Sequence, residues 1–329
     1  MKNILSFTNE MVSFSRSIFG NEFIPLHRPV FAGNERQYLT DCIDSNFVSS
    51  VGVKVTEFEQ KVAAFTGAKH AIATVNGTAA LHVAIELAGV EAGDEVITQA
   101  LTFIATCNAI SYAGAKPLFI DVDLDTMGLS PSALQIFLEN HAEKRVGGTF
   151  NKLTEKRISA CVPMHTFGFP CRIEEITTIC SDWGIALIED AAESLGSYVR
   201  GRHTGTFGAM GTISFNGNKL ITTGGGGMII TDDPILAQRA KHITTTAKIP
   251  HPYEFVHDEI GYNYRMPNLN AALGCAQMER LNEFLAIKTE LADQWGAFFD
   301  QNDVRFARAI DGNKANHWLN ALVLDSKEE

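Results

Sequence analysis

The stretch His70–His82, HAIATVNGTAALH, carries the signal that decides the fold class. Its first six residues form an apolar, β-branched run that predicts a strand, and small residues after Asn76 open a segment with helical apolar spacing. Similar runs predict further strands at Glu95–Gln99, Lys116–Ile120, Ile158–Pro163, Ile185–Glu189, Gly211–Phe215 and Met228–Thr231. Helical spacing predicts helices at Thr78–Ala88, Phe103–Ala113, Pro131–Glu143 and Ile173–Trp183.

This alternation predicts an α/β fold with a mostly parallel seven-stranded sheet and helices on both faces. A glycine-rich stretch, instead of a helix, joins the last two strands, so we expect one of them to run antiparallel. Ligands of such sheets bind at the carboxyl ends of the strands. The residues that follow each strand are therefore the candidates for chemistry.

The composition changes near Lys248–Asp258 (KIPHPYEFVHD), and a long helical pattern follows from Asn268 to Phe299. We therefore predict a large domain over residues 1–250 and a smaller α+β domain over residues 251–329. Residues 1–25 are expected to form an N-terminal arm that packs on the small domain. With one helix and one strand, the small domain is expected to be incomplete at its C-terminal end.

Charge and composition exclude several classes of function. The net charge of −11 argues against nucleic-acid binding, which needs broad electrostatic attraction to phosphates. The six cysteines contain no Cys-x-x-Cys pair, and His317 has no histidine partner at metal-ligand spacing, so we predict reduced thiols and no metal. Charged and polar residues interrupt the apolar ones near the N-terminus, so we predict no signal peptide, and no apolar run is long enough to predict a membrane span. We expect a cytoplasmic protein without a membrane partner.

Lys219 follows the sixth predicted strand, at the end of Ser214–Lys219 (SFNGNK), with no other charged residue beside it. A desolvated lysine offers a nucleophilic amine that can bond to an aldehyde. The alternative is an ordinary solvated lysine before a hairpin.

Three other strand ends also carry candidate residues. Asp190 follows IALIE, where a carboxylate either caps a helix or pairs with a cationic ring nitrogen. Gly77 and Thr78 open a helix, where free amides bind phosphate or form a plain turn. Phe103 follows EVITQ and either covers a flat ring or packs in the core. Together with Lys219 they supply the four contacts that pyridoxal 5′-phosphate (PLP) requires.

These ordered motifs resemble those of the DegT/DnrJ/EryC1/StrS sugar aminotransferases, from about Phe23 to the C-terminus. The resemblance implies an aspartate-aminotransferase-like fold (PLP fold type I). It implies that Lys219 forms the Schiff base and that Asp190 pairs with the pyridine nitrogen. The other cofactor contacts that it implies are Gly77, Thr78 and Ser214 at the phosphate, Phe103 and Ala192 on the two ring faces, Glu193 near the ring hydroxyl, and Asn263, which reaches the phosphate across a homodimer interface.

Within the family, Ser214–Lys219 and His257–Asn270 (HDEIGYNYRMPNLN) resemble the LegC-type aminotransferases of legionaminic and related nonulosonic acid pathways. That resemblance implies a nucleotide-linked 4-keto-6-deoxy-2-acetamidohexose as the acceptor, aminated at C4 for bacterial surface sugars. It also implies L-glutamate as the donor, 2-oxoglutarate as the by-product, and a homodimer with shared active sites.

Weaker candidates and rival functions stay open. Candidate substrate contacts are His165, Arg265, Tyr264 and Phe47, followed by Tyr262 and His27; His165 and Arg265 have structural roles as alternatives. One rival is a PLP-dependent sugar dehydratase, in which histidine replaces the lysine; the other is a non-catalytic paralogue that binds PLP or a nucleotide sugar. Many relatives have Gln or His where this chain has Glu193.

Overall fold

The computed structural model describes residues 4–324. Ten α-helices lie in that range: α1 (Ile4–Phe19), α2 (Glu35–Asp44), α3 (Val53–Thr66), α4 (Gly77–Leu87), α5 (Ile104–Tyr112), α6 (Pro131–His141), α7 (Ile173–Trp183), α8 (Pro234–Thr244), α9 (Asn268–Glu279) and α10 (Leu281–Gln301). None of these helices combines the length and the apolar character that crossing a membrane requires.

The same residues contain fourteen strands: β1 (His70–Thr74), β2 (Glu95–Gln99), β3 (Lys116–Ile120), β4 (Ala142–Arg145), β5 (Gly148–Asn151), β6 (Arg157–Val162), β7 (Ala186–Asp190), β8 (Tyr198–Val199), β9 (Arg202–His203), β10 (Met210–Ser214), β11 (Gly227–Thr231), β12 (Lys248–Ile249), β13 (Val256–His257) and β14 (Asn313–Lys314).

Seven strands form the central sheet, in the order β1, β11, β10, β7, β6, β2, β3. The strands from β10 to β3 are parallel, whereas β11 is antiparallel to both β1 and β10. The mostly parallel α/β sheet and the single antiparallel strand are therefore confirmed. Each of the seven strands lies within one residue of its predicted bounds, because buried strands coincide with uninterrupted apolar runs.

A hairpin of β4 and β5 adds to this sheet along β6, and the sequence analysis missed it. Its first strand, AEKR, has three charged residues and two exposed ones, so no apolar alternation marks it. The helix predicted over Pro131–Glu143 ends at His141 for the same reason: the chain enters the hairpin. Edge strands with solvated faces carry little apolar signal.

Alternate residues of β7 face opposite cores. Ile188 packs on one face with Leu81 and Ile85 of α4, while Leu187 packs on the other face with Ile176 of α7. Burial of each such aliphatic side chain contributes about 2 kcal/mol to stability. Because helices cover both faces of the sheet, the ends of the strands are its accessible part. The candidate residues lie at the carboxyl ends of these strands.

The long helical pattern after Asn268 forms two helices that meet at Arg280. Helix α9 shares a core with α3, in which Ala271 and Cys275 pack with Phe58. The chain is therefore continuously packed across the proposed border at residue 250. Helix α1 lies against α10, where the rings of Phe14 and Phe298 stack with centroids 4.5 Å apart.

Candidate active site

Asp190 is the last residue of β7, and its side chain is held in a fixed orientation at the carboxyl end of the sheet. The Thr106 hydroxyl donates to Oδ2 at 2.7 Å, and the Ala192 amide donates to Oδ1 at 3.1 Å. Burial raises the pKa of Asp190, while these hydrogen bonds and the charges of Lys219 and His165 act in the opposite direction. The carboxylate is thus buried, oriented and within electrostatic range of the lysine.

Lys219 follows β10 and points into the same region. Its Nζ donates to Oε1 of Glu193 at 3.2 Å and lies 4.1 Å from the centroid of the Trp318 ring. Only 12 % of the lysine side chain is exposed. A desolvated amine between a carboxylate and an indole face is unlike a solvated surface lysine, so the surface alternative does not fit.

Glu193 is held from two sides, because its Oε2 accepts the Phe167 amide at 2.8 Å. Burial raises the pKa of this carboxyl group; the charge of Lys219 lowers it, and that of Asp190 raises it. The site therefore holds two carboxylates around one amine.

Glycines shape the turn between β1 and α4. The Asn76 side chain caps α4 by accepting the Ala79 amide at 2.8 Å, which leaves the amides at Gly77 and Thr78 at the open helix terminus. A Cβ at Gly77 would lie 3.0 Å from Cβ of Ser214, and one at Gly227 would lie 2.3 Å from the Asn76 carbonyl oxygen. Glycine is therefore required at position 227 for strand β11 to pack directly against this turn.

A cavity of about 310 Å³ joins these groups. Its lining includes Asn76, Gly77, Thr78, Phe103, Met164, Asp190, Ala192, Glu193, Ser214, Lys219 and Trp318. Phe103 immediately precedes α5, and 64 % of its surface is exposed, so it is available to cover a flat ring instead of packing in the core. The donor set fits PLP: helix-terminal amides for a phosphate, an aromatic face, a carboxylate for a ring nitrogen and an amine for an aldehyde.

Two predicted substrate contacts lie elsewhere. His165 is fully buried, and its Nε2 is 3.0 Å from Oε2 of Glu189, which also accepts the Gly205 amide. Tyr264 packs on α4, where its hydroxyl is 3.3 Å from Nδ1 of His82. The expectation that His165 lines the cavity is therefore not met, because its side chain is bound to Glu189 within the sheet. Tyr264 does not line the cavity of its own chain either.

Asn263, Arg265 and Phe47 also lie outside the cavity of their own chain. Asn263 is exposed, and its Oδ1 accepts a hydrogen bond from Nε of Arg265 at 3.2 Å. Arg265 lines a separate groove with Lys248. Phe47 is 55 % exposed and lines another groove beside α3. These positions stay predictions.

Two weaker candidates occupy different places. Tyr262 donates to Oε1 of Glu86 at 2.6 Å and stacks on Tyr264, away from the cavity. His27 lies behind the cavity wall, with Nδ1 3.3 Å from Nζ of Lys288. Lys288 in turn donates to the Trp318 carbonyl at 3.1 Å.

Sequence reasoning missed Thr106 and Trp318. The indole Nε1 of Trp318 donates to the Asn218 carbonyl at 2.6 Å, and its backbone amide donates to Oδ1 of Asn316. No motif marks this long-range contact between residues 218 and 318. Thr106 had a local signal, since it lies one helical turn after Phe103 on a helix that begins at the carboxyl end of β2.

Comparisons with known proteins agree with this arrangement. The DegT/DnrJ/EryC1/StrS aminotransferase family matches residues 30–329. A Bacillus subtilis (strain 168) protein assigned as pyridoxal phosphate-dependent aminotransferase EpsN is 38% identical over 304 residues, which are 92% of this chain and 76% of that protein. The GDP-perosamine synthase of Escherichia coli O157:H7 is 40% identical over 272 residues, 83% of this chain and 70% of the synthase.

A solved structure shows the same fold. The aminotransferase TlmJ from Streptoalloteichus hindustanus superposes with a TM-score of 0.81 at 27% sequence identity, over 92% of this chain and 79% of TlmJ. The family match covers most of the chain, and relatives are more than 30% identical over most of their length. The chain belongs to the DegT/DnrJ/EryC1/StrS aminotransferase family.

Proposed function

We propose that this protein is a PLP-dependent aminotransferase that transfers an amino group from L-glutamate to C4 of a nucleotide-linked 4-keto-6-deoxy-2-acetamidohexose. Its product would enter bacterial surface sugars of the legionaminic or nonulosonic acid type. One observation carries the proposal: Lys219 and Asp190 line a single cavity together with Gly77 and Phe103. Family membership supports the reaction class, and the sequence resemblance to LegC-type enzymes supports the acceptor.

The residues would divide the work as follows. Gly77, Thr78 and Ser214 would hold the cofactor phosphate, and Phe103 would cover one ring face. Bound PLP supplies an electron sink for the carbanion that forms when Cα of the donor loses its proton. Asp190 would keep the ring nitrogen protonated, and the Lys219 amine would take the proton from Cα of the donor and deliver it to the C4′ carbon of the cofactor, with the reverse transfer in the second half-reaction.

A second acceptor class has its own support. The E. coli relative is named as the synthase of GDP-perosamine, a GDP-linked sugar. A GDP-linked 4-keto sugar is therefore the second candidate acceptor, with the same roles for Lys219 and Asp190. Presence of Lys219 opposes the dehydratase alternative, in which a histidine takes its place.

We also propose that the active enzyme is a homodimer. Asn263 and Arg265 lie outside the cavity of their own chain, and Arg265 shares an exposed groove with Lys248. A second subunit would bring such cationic side chains to a phosphate-bearing ligand.

The test begins with an absorbance spectrum of the protein with PLP, followed by L-glutamate. We expect a visible band that L-glutamate converts to a band at shorter wavelength, with release of 2-oxoglutarate. UDP- and GDP-linked 4-keto sugars, with and without the 2-acetamido group, are then offered in turn, and the acceptor is the one that restores the visible band. The matched controls are Lys219→Ala, which should show no band, and Lys116→Ala on the exposed end of β3, which should behave as wild type. A visible band in Lys219→Ala, or no response to any amino donor, would refute the proposal.

A further inference from the structure

Thr106 makes a short contact with the carboxylate that the proposed function assigns to the cofactor ring. Its hydroxyl lies 2.7 Å from Oδ2 of Asp190, and the exposed fractions of the two residues are 0 % and 2 %. An ionised carboxylate accepts hydrogen bonds only, so the Thr106 hydroxyl is the donor. Hydrogen bonds to a charged group are about twice as strong as those between neutral groups.

Thr102 lies four residues before Thr106, in the segment that precedes α5. The two hydroxyl oxygens are 3.0 Å apart, and the Thr102 oxygen is also 3.1 Å from Sδ of Met164. Because Thr106 commits its one hydrogen to Asp190, the single Thr102 hydrogen is shared among three acceptors: the Thr106 oxygen, Sδ of Met164 and the Phe103 carbonyl at 3.4 Å. The orientation of the Thr106 hydroxyl is set by its short hydrogen bond to Asp190.

The two Asp190 oxygens have different partners. Oδ1 is held by the Ala192 amide, a backbone group of the loop after β7, whereas Oδ2 is held by a side chain from α5. Helix α5 follows Phe103, the residue expected to cover the cofactor ring. The Thr106–Asp190 hydrogen bond thus joins the carboxylate to the helix that carries the aromatic ring.

We infer that Thr106 is a positioning residue of this enzyme, which keeps the Asp190 carboxylate ionised and turned toward the cofactor ring nitrogen. This inference rests on the proposed function. Thr106 touches neither cofactor nor substrate and acts only through Asp190. The other charged groups acting on Asp190 are Lys219, His165 and Glu193. Thr106 is the neutral donor among these partners, so its contribution does not change as they titrate.

Three variants separate positioning from packing. Thr106→Val keeps the shape but removes the donor, and Thr106→Ser keeps the donor. Thr98→Val is the matched control, because Thr98 is also fully buried and donates one hydrogen bond, to the Val162 carbonyl at 2.9 Å. For each variant we would measure the PLP dissociation constant, the pH dependence of the bound-PLP absorbance, and the pH dependence of thermal unfolding without cofactor.

We expect Thr106→Val to weaken PLP binding by about tenfold or more, whereas Thr106→Ser and Thr98→Val stay within about threefold of wild type. A buried acid with a raised pKa destabilises the folded state as pH rises through that pKa, because the folded state holds the proton longer than the unfolded state. Thr106→Val raises that pKa further, so this loss of stability should extend about one pH unit higher in the apoprotein. Thr98→Val should lower the melting temperature at every pH alike.

If Thr106→Val shifts neither the PLP affinity nor the pH profiles and loses stability as Thr98→Val does, Thr106 has only a packing role and the inference is overturned. PLP binding in Thr106→Ser as weak as in Thr106→Val would overturn it as well, because the serine variant retains the donor. If wild type itself binds no PLP, the proposed function fails instead; the apoprotein pH profile still decides whether Thr106 controls Asp190.

Discussion

The amine of Lys219 and the carboxylate of Glu193 face each other across 3.2 Å inside the cavity, with 12 % and 6 % of the two side chains exposed. The other oxygen of Glu193 is fixed by the Phe167 amide. Burial makes the attraction between two opposite charges at this distance stronger than in a surface pair.

Glu193→Gln should shift the pH at which the visible absorbance of bound PLP titrates. Removal of the negative charge disfavours protonation of the nitrogen that would join Lys219 to PLP. We therefore expect the midpoint of the absorbance titration to move down by about one pH unit. Spectra recorded from pH 5 to pH 9 measure it. Glu174→Gln, which removes an exposed carboxylate paired with Arg200, is the control. An unchanged midpoint in Glu193→Gln would show that this carboxylate does not act on the reacting nitrogen.

Asp190→Asn should bind PLP and lose most of its turnover. The amide keeps the size of the side chain but lacks the charge that holds a proton on the ring nitrogen, so kcat should fall by about 100-fold or more. Steady-state kinetics and a PLP titration measure the two effects separately. Turnover close to that of wild type would remove the role assigned to Asp190.

Trp318→Ala should lower kcat/KM by about tenfold, because the indole forms one wall of the cavity and packs on the Lys219 amine. Trp318→Phe keeps a ring but loses the hydrogen bond to Asn218, so its loss should be smaller. The control is Trp183→Ala, which removes a ring 5.4 Å from Nζ of Lys144, remote from the site. Equal kinetic losses in Trp183→Ala and Trp318→Ala would point to a general loss of stability.

Mixing two inactive variants tests the shared active site. Lys219→Ala and Asn263→Ala should each be inactive or weak as homodimers. In a heterodimer, one site has Lys219 from one subunit and Asn263 from the other, so random mixing should restore about a quarter of the wild-type activity. Activity is assayed after the variants are unfolded and refolded together. If each site draws both residues from one chain, the mixture will gain nothing.

His27 should contribute a pH-dependent part of the stability. Burial and the charge of Lys288 lower its pKa from 6.5 to about 4. Between those values the unfolded state binds more protons than the folded state, so stability is present above pH 6.5 and is lost as pH falls toward 4. His27→Gln should reduce this acid-side loss by about 2 kcal/mol. Urea unfolding at pH 7.5 and pH 4.5 measures the free energy of unfolding of both proteins. An equal loss of stability between the two pH values in wild type and His27→Gln would contradict the role assigned to His27.

Local patterns were sufficient for most of the sheet. Strands such as Glu95–Gln99 and helices such as Ile173–Trp183 have the bounds that apolar spacing predicts, because their side chains are buried on the faces where the pattern requires it. The hairpin at Ala142–Asn151 and the break at Arg280 escaped prediction. Both occur where exposed or polar residues interrupt the pattern and tertiary contacts choose the path of the chain.

Motif order along the chain was enough to identify Lys219, Asp190, Gly77 and Phe103 as one set, because parallel strands all deliver the residues after them to one edge of the sheet. The contacts that surround each of these four residues were not predictable from the sequence, because they form only in the folded chain. Residues 106 and 190, or 218 and 318, meet only when distant elements pack together, and the burial of His165 follows from its contact with Glu189. Sequence patterns report which face of an element is apolar; a hydrogen bond between separate elements also depends on distance and direction, which packing alone sets.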